Sequence, residues 1–543
     1  MLPDIKSTPR VLHLHIGWII LPYQPNAMQL IRSTQALLFL LPFTTLAQAP
    51  PALEWQRNLG GSGSDFANSV EQTADGGYIF CGTTFSNNGD VSGDHGQADI
   101  WVVKLDASGS LLWQRCLGGT DFDLGIAAHQ LIDGSYLVVG NSSSNNGDVS
   151  GNHGEGDIWL AHLDASGALI WQRCYGGSLA DAAEDLKVTP DGGYVIVGES
   201  YSTEGDLTSN AGAGDYWILK LDTEGEIEWQ RSYGGNGGDG ASSIALTSDG
   251  GYAVNGYTES NNGDVSGSHG SKDYWVLKLN GQGMLQWQRP CGGSNDDWGR
   301  AIAEMSNGDI MAGGYSMSQD GDVSPGIQIQ DIWTVRISST GNVIEDRSYG
   351  GSSLDFASSI LDMPDDGVII CGNSQSLDGD LSGNQGGRDG WLFRTNAQGE
   401  MLWNLTMGGT QTDTWATIRR TNDGGYILAG ASESSNGDLP GNNGYSDVWV
   451  VKLGLDPVSV HELQDMPLIR VYPNPSKEHI QVDLPLSMRN AYWQLHDAQG
   501  KVFGQGQVLG TSQSIAISHL APGAYTIELE TMGDRQSVVV VKE

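Results

Sequence analysis

Three aspartates return together every 58 residues, seven times over, and they are the densest chemistry this chain offers. The first closes a G-G-x-x-x-D pattern, as Asp65, Asp123, Asp181, Asp239, Asp297, Asp355 and Asp413. The second ends a G-D pair, as Asp90, Asp148, Asp206, Asp264, Asp322, Asp380 and Asp438. The third opens D-x-W, as Asp99, Asp157, Asp215, Asp273, Asp331, Asp389 and Asp447. Carboxylates can crowd like this only where backbone N–H groups or cations satisfy them. An Asp beside Gly in a turn bonds its own backbone, which is the reading preferred here. Calcium, with the seven G-D aspartates as oxygen ligands, is the other, although residues 86–99 lack the closing Glu of an EF-hand loop. No cofactor is demanded by the sequence, and calcium is its one candidate.

A feature present in every repeat serves the folding of every repeat, so a site should sit where the repeats depart from one another. The residue after the first Asp is Phe66, Leu124, Ala182, Gly240, Trp298, Phe356 or Thr414, with Trp415 one position further on. Basic residues join some of these segments, as Arg300, Arg419 and Arg420. Phe66, Trp298, Arg300, Phe356, Trp415 and Arg419 are therefore the candidate ligand-binding residues. Stacked aromatics beside hydrogen-bonding groups suit a sugar or a peptide; packing between neighbouring repeats is the competing role. His95, His153 and His269 share one position but lie on different repeats, too far apart for a common metal. The chain has no H-E-x-x-H, G-x-S-x-G or G-x-x-x-x-G-K pattern, so no catalytic residue is assigned. LDASGSLLW (105–113) resembles the tryptophan-docking pattern of quinoprotein propellers, one residue short between Asp and Gly.

Positioning these residues falls to four short strand-like runs per repeat, exemplified by 123–131, 136–142, 157–163 and 168–174. Runs rich in Val, Ile, Tyr and Trp between Gly/Asn/Asp clusters read as antiparallel strands, here termed a to d. A fixed period of four strands predicts an all-β, seven-bladed β-propeller over 48–454. The ends agree: 53–61 reads as a strand d with no a–c before it, and 447–454 as a strand c with no d after it. The N-terminal strand should therefore complete the last blade and leave no open edge. Thirteen of the 17 Trp fall at two positions of the repeat, as expected for residues packed between stacked blades. The a–b and c–d turns are tight and share one face of the ring, while the longer b–c and d–a loops share the other.

With 65 acidic and 27 basic residues the net charge is −38, which argues against nucleic acid and anionic membranes as partners. Cys81, Cys116, Cys174, Cys291 and Cys371 are odd in number and scattered over blades, so they should be free, buried thiols. Residues 1–27 read as an upstream extension or misassigned start, with an anchor at 11–25 as the alternative. Residues 28–47 read as a signal peptide with an apolar run at 36–46, preferably cut after Ala47. No other transmembrane candidate follows in the mature chain. Residues 455–467 read as a linker, and 468–543 as a small β-sandwich.

The repeat DIWVVKLDASGSLLWQRCLGG (99–119) resembles a class of secreted bacterial β-propeller repeats, a likeness that bears on fold rather than activity. The tail is similar to the C-terminal sorting domain of the type IX secretion system of Bacteroidetes. Its carriers are Tyr472, Pro473, Asn474 and Pro475, the D-x-x-G at 497–500, and Gly523 and Tyr525 within L-x-x-G-x-Y. This resemblance implies recognition by the type IX machinery, removal of the signal peptide and tail, and release or attachment at the outer surface. The function expected is a monomeric secreted or cell-surface binding protein for a glycan or protein ligand. An extracellular polysaccharide-degrading enzyme or quinoprotein-like oxidoreductase, and a passive adhesive or structural protein, are the alternatives.

Overall fold

The computed structural model describes residues 48–457 and 470–542, apart from 327–328, 382, 485–490, 498–500, 509–511 and 531–534. The segments assigned above to 1–47, and most of the linker, lie outside the described residues. Residues 53–453 form seven four-stranded antiparallel sheets, each built from strands consecutive along the ring. In the first blade, strands a to d are Asp65–Gln72, Tyr78–Thr84, Asp99–Leu105 and Leu111–Leu117. The N-terminal strand Leu53–Leu59 pairs antiparallel with Asp447–Leu453 and supplies strand d of the seventh blade. Its register matches the other blades: Trp55 stands opposite Lys452 as Trp113 stands opposite Lys104.

Strands b and c are buried almost throughout because blades stack on both of their faces. Each strand-c Trp (Trp101, Trp159, Trp217, Trp275, Trp333, Trp391 and Trp449) is fully buried. Five of these indoles donate to a Gln on strand d, from Gln114 at 2.9 Å to Gln56 at 2.9 Å across the ring closure. Trp333 uses Asp346 instead, and Trp391, where the shorter Asn404 takes the place of that Gln, has no partner among the described residues. On the outer strand, Arg57, Arg115, Arg173 and Arg231 lie over Trp55, Trp113, Trp171 and Trp229. Arg57, Arg115 and Arg231 also donate to a carbonyl of the next blade's c–d turn, stitching neighbours around the rim. The cysteines are free; Cys81, Cys116, Cys291 and Cys371 are buried and Cys174 is half-buried.

The tail forms two sheets. One orders Arg470–Tyr472, His479–Asp483 and Ser512–Ala516; the other orders Val502–Gln507, Tyr492–His496, Gly523–Glu530 and Arg535–Lys542. Ile480, Val482 and Ile515 from the first share a core with Trp493, Leu495, Ile527 and Val540 from the second, which makes a small sandwich. Among the described residues no helix is long and apolar enough to cross a membrane.

Candidate functional site

The G-G-x-x-x-D aspartates are buried knots that tie each d–a loop to the b–c loop of the same blade. Asp65 Oδ2 accepts the Gly61 N–H at 2.8 Å and the Ser86 hydroxyl at 2.8 Å, while Oδ1 accepts the Thr84 hydroxyl. The same three partners recur in the other six blades, for example Gly409, Ser432 and Ser434 around Asp413. The G-D aspartates close a second contact between the same two loops. The Asp90 N–H donates to the Gly60 carbonyl, and Asp90 Oδ2 accepts the Gly60 N–H at 3.2 Å. Asp148, Asp206, Asp264, Asp380 and Asp438 accept the equivalent glycine N–H at 3.1–3.4 Å. Asp322 donates its N–H in the same way, with its carboxylate 3.6 Å from Arg289.

The D-x-W aspartates are more unusual. Oδ2 of Asp447 accepts the Asn443 N–H at 2.6 Å, but Oδ1 has no hydrogen-bond partner among the described residues. Asp99, Asp157, Asp215, Asp273 and Asp389 repeat this arrangement. Oδ1 of Asp447 faces a loop glycine beside the next blade's knot. A Cβ on Gly60 would stand 2.5 Å from Asp447 Oδ1 and 2.6 Å from Asp65 Oδ2, so only a Cα–H fits between the two carboxylates. Burial, and then the neighbouring aspartates, push Asp389 and Asp447 up to about 6. His95 and His153 each pair with their own D-x-W aspartate at 2.9 and 2.6 Å. Among the described residues no group of three or more His, Cys, Asp or Glu side chains is placed to hold an ion.

Strand a is innermost, and a bulge after its third residue turns the fourth toward the ring axis. The fourth residues of all seven strands (Asn68, Ile126, Glu184, Ser242, Arg300, Ser358 and Ala416) line a single cavity of about 540 Å³. Phe356, Asp185, Lys187 and Arg419 border it as well. Lys187 is neutralised by Asp185 at 2.6 Å, and His129 Nδ1 meets Glu71 at 2.8 Å. Both ring nitrogens of His129 are engaged, since Nε2 also meets the Leu186 carbonyl at 3.0 Å. Arg300 lies over the Trp298 ring at 4.7 Å and makes no ion pair among the described residues. Among the described residues Arg419 donates along its own strand, to Thr417 and the Ile418 carbonyl. Glu184 is exposed to the open channel, and the surrounding wall raises its carboxyl to about 7 against the opposing pull of Arg300.

The structure brings three of the six sequence candidates to the channel. Arg300, Phe356 and Arg419 border the cavity, whereas Phe66 and Trp298, at the strand position of Phe356, are not among its lining residues and pack beside other aromatics. Phe66 packs edge-on against Phe85, and Trp298 lies 4.5 Å from Tyr257. Lys272 sits 4.2 Å from each of those two rings. Trp415 is a correction: it is fully buried, stacks on Trp449 at 5.3 Å and donates its backbone N–H to Asn373. Successive strand residues point to opposite sides, so Thr414 faces the channel mouth and Trp415 must face the neighbouring blade. Glu184, Asp185, Lys187 and Lys272 were missed. Glu184 had a signal, because it occupies the same repeat position as Arg300.

In the tail, Asn474 Nδ2 donates to the Val539 carbonyl at 2.7 Å and its Oδ1 accepts the Val541 N–H, fastening the Tyr-Pro-Asn-Pro segment to the last strand. Gly523 opens the strand on which Tyr525 packs edge-on against Phe503 and donates to the Ala521 carbonyl.

The chain is thus an all-β propeller protein with a separate C-terminal sandwich. Residues 470–543 match the family model of the secretion system C-terminal sorting domain. That tail marks the protein for type IX export, to the cell surface or the medium, through the type IX machinery. Among solved structures, PorZ, described as a surface component of the type IX system of Porphyromonas gingivalis, is 12% identical with a TM-score of 0.28, over 89% of this chain and 75% of PorZ. A puromycin hydrolase is 13% identical with a TM-score of 0.43, over 81% of this chain and 62% of the hydrolase. The curated regulatory protein FlaEY of Caulobacter vibrioides is 26% identical over 165 residues. That match takes in 28% of this chain and spans only 17% of FlaEY.

Proposed function

We propose that the exported ring is a binding protein whose ligand, a glycan or a protein segment, engages the b–c/d–a face and reaches into the channel. One observation carries this reading. Seven equivalent strand-a positions, set among loops that repeat almost unchanged, hold six different residue types, and all seven line one cavity. Its volume of about 540 Å³ falls in the range of small-molecule sites, roughly 300–1,000 Å³. The recurring aspartates are read as loop fasteners, since their contacts are the same in every blade and so cannot select a ligand. The test is a glycan and protein array probed with the secreted protein and with a variant whose channel is filled by Ser242→Trp and Ala416→Trp. A ligand held by the wild type and lost by the filled variant is the expected result. Equal binding by both would remove the channel from the account.

A further inference from the structure

The channel wall is chemically lopsided, and its imbalance bears on what enters. Acidic residues outnumber basic ones 65 to 27, and a carboxylate neutralises many of the cations, although outside the channel Arg57, Arg115, Arg231 and Arg347 use backbone carbonyls instead. Lys187, Lys104, Lys278 and Arg336 are neutralised by Asp185, Asp75, Asp249 and Asp309. Arg300 and Arg419 both border the cavity and make no ion pair among the described residues. Around them the wall offers hydroxyl and amide groups, from Ser242, Ser243, Ser358, Ser359 and Asn68, together with the Phe356 ring. Arg300 is the fourth residue of its strand and Arg419 the seventh. At about 3.3 Å per residue, Arg419 lies roughly 10 Å further along the axis.

We propose that the channel binds an acidic oligosaccharide, whose carboxylates meet Arg300 and Arg419 while its hydroxyls meet the serines and Asn68. This rests on the binding reading above and names the ligand's chemistry. Guanidinium groups are the preferred partners of carboxylates, and their hydrogen bonds strengthen where water is partly excluded. The cavity is too small for a folded protein; its serines and Asn68 suit sugar hydroxyls, while Phe356, Ile126 and Ile360 on the same wall suit the apolar faces of sugar rings. Glu184, on the same wall, opposes an anionic ligand. It acts as a counterweight to the two arginines, restricting the site to ligands that bring enough negative charge.

The experiment titrates the full-length secreted protein, by calorimetry at low salt, with trimers of galacturonate, glucuronate and mannuronate and with their methyl esters. At least one free acid should bind, and its ester should bind at least about tenfold more weakly, as expected for losing a charge-assisted pair. Arg300→Gln and Arg419→Gln should each weaken binding by a similar factor, and Glu184→Gln should tighten it. All three side chains border open channel, so the variants should melt like the wild type, and that melt separates lost binding from lost folding. Equal affinity for acid and ester would overturn this proposal and leave the binding reading standing. So would binding of oligoglutamate with no uronate bound below about 1 mM. Failure of every sugar and peptide, including those on the array, would overturn both.

Discussion

Replacing Asp239 by Ala tests whether the recurring aspartates hold the loops or merely decorate them. Asp239 is fully buried, and its Oδ2 accepts the Gly235 N–H at 2.8 Å and the Ser260 hydroxyl at 2.7 Å. Its Oδ1 accepts the Thr258 hydroxyl. Without the carboxylate both hydroxyls can rotate toward other acceptors, losing about 1 kcal/mol each, but the Gly235 N–H is fixed and stranded at a cost of about 1–3 kcal/mol. Against this, the neighbouring Asp215 carboxylate, whose pKa is raised by burial and by Asp239, is relieved of a like charge. We set that relief at roughly 1 kcal/mol, so the net loss is about 2–4 kcal/mol. Asp239→Asn keeps an oxygen for part of the set and should lose about half as much. Urea unfolding followed by tryptophan fluorescence measures both, and hydrogen exchange at Gly235 should quicken in both variants. An Ala variant within about 1 kcal/mol of wild type, or an Asn variant as damaged as the Ala one, would refute the reasoning.

Three further outcomes follow from the same geometry. Asp389 and Asp447 have folded-state pKa values raised to about 6, so the folded protein takes up protons before the unfolded chain does. Stability should therefore rise as pH falls from 7.5 toward 4.5. It should drop only below about pH 4, where the unfolded chain takes up protons that Asp75, Asp191, Asp249 and Asp423 resist in the folded state, lowered to about 2 by hydrogen bonds and their lysines against the pull of burial; calorimetric melts across this range check the order. Asn404→Gln should give the stranded Trp391 indole the partner found in five other blades and stabilise the fold by about 0.5–1.5 kcal/mol, read as a higher urea midpoint. Deleting 53–59 should expose the edge of Asp447–Leu453 and promote association through it, visible as increased light scattering.

The 58-residue period, the strand count and the two unmatched ends were enough to determine the wheel and its closing strand, because a repeat that must bury both faces of every blade leaves few other arrangements. Position along a strand was less legible. Trp415 and Thr414 are neighbours in sequence but face opposite ways, and the bulge that turns the fourth residue of strand a inward has no residue signature of its own. The tertiary structure alone decided that seven side chains scattered over 348 residues, from Asn68 to Ala416, meet around one cavity. It alone also placed two arginines there that make no ion pair among the described residues. Local sequence can write a strand and a turn, but which charges go unneutralised depends on distances across the axis, and those exist only once the ring has closed.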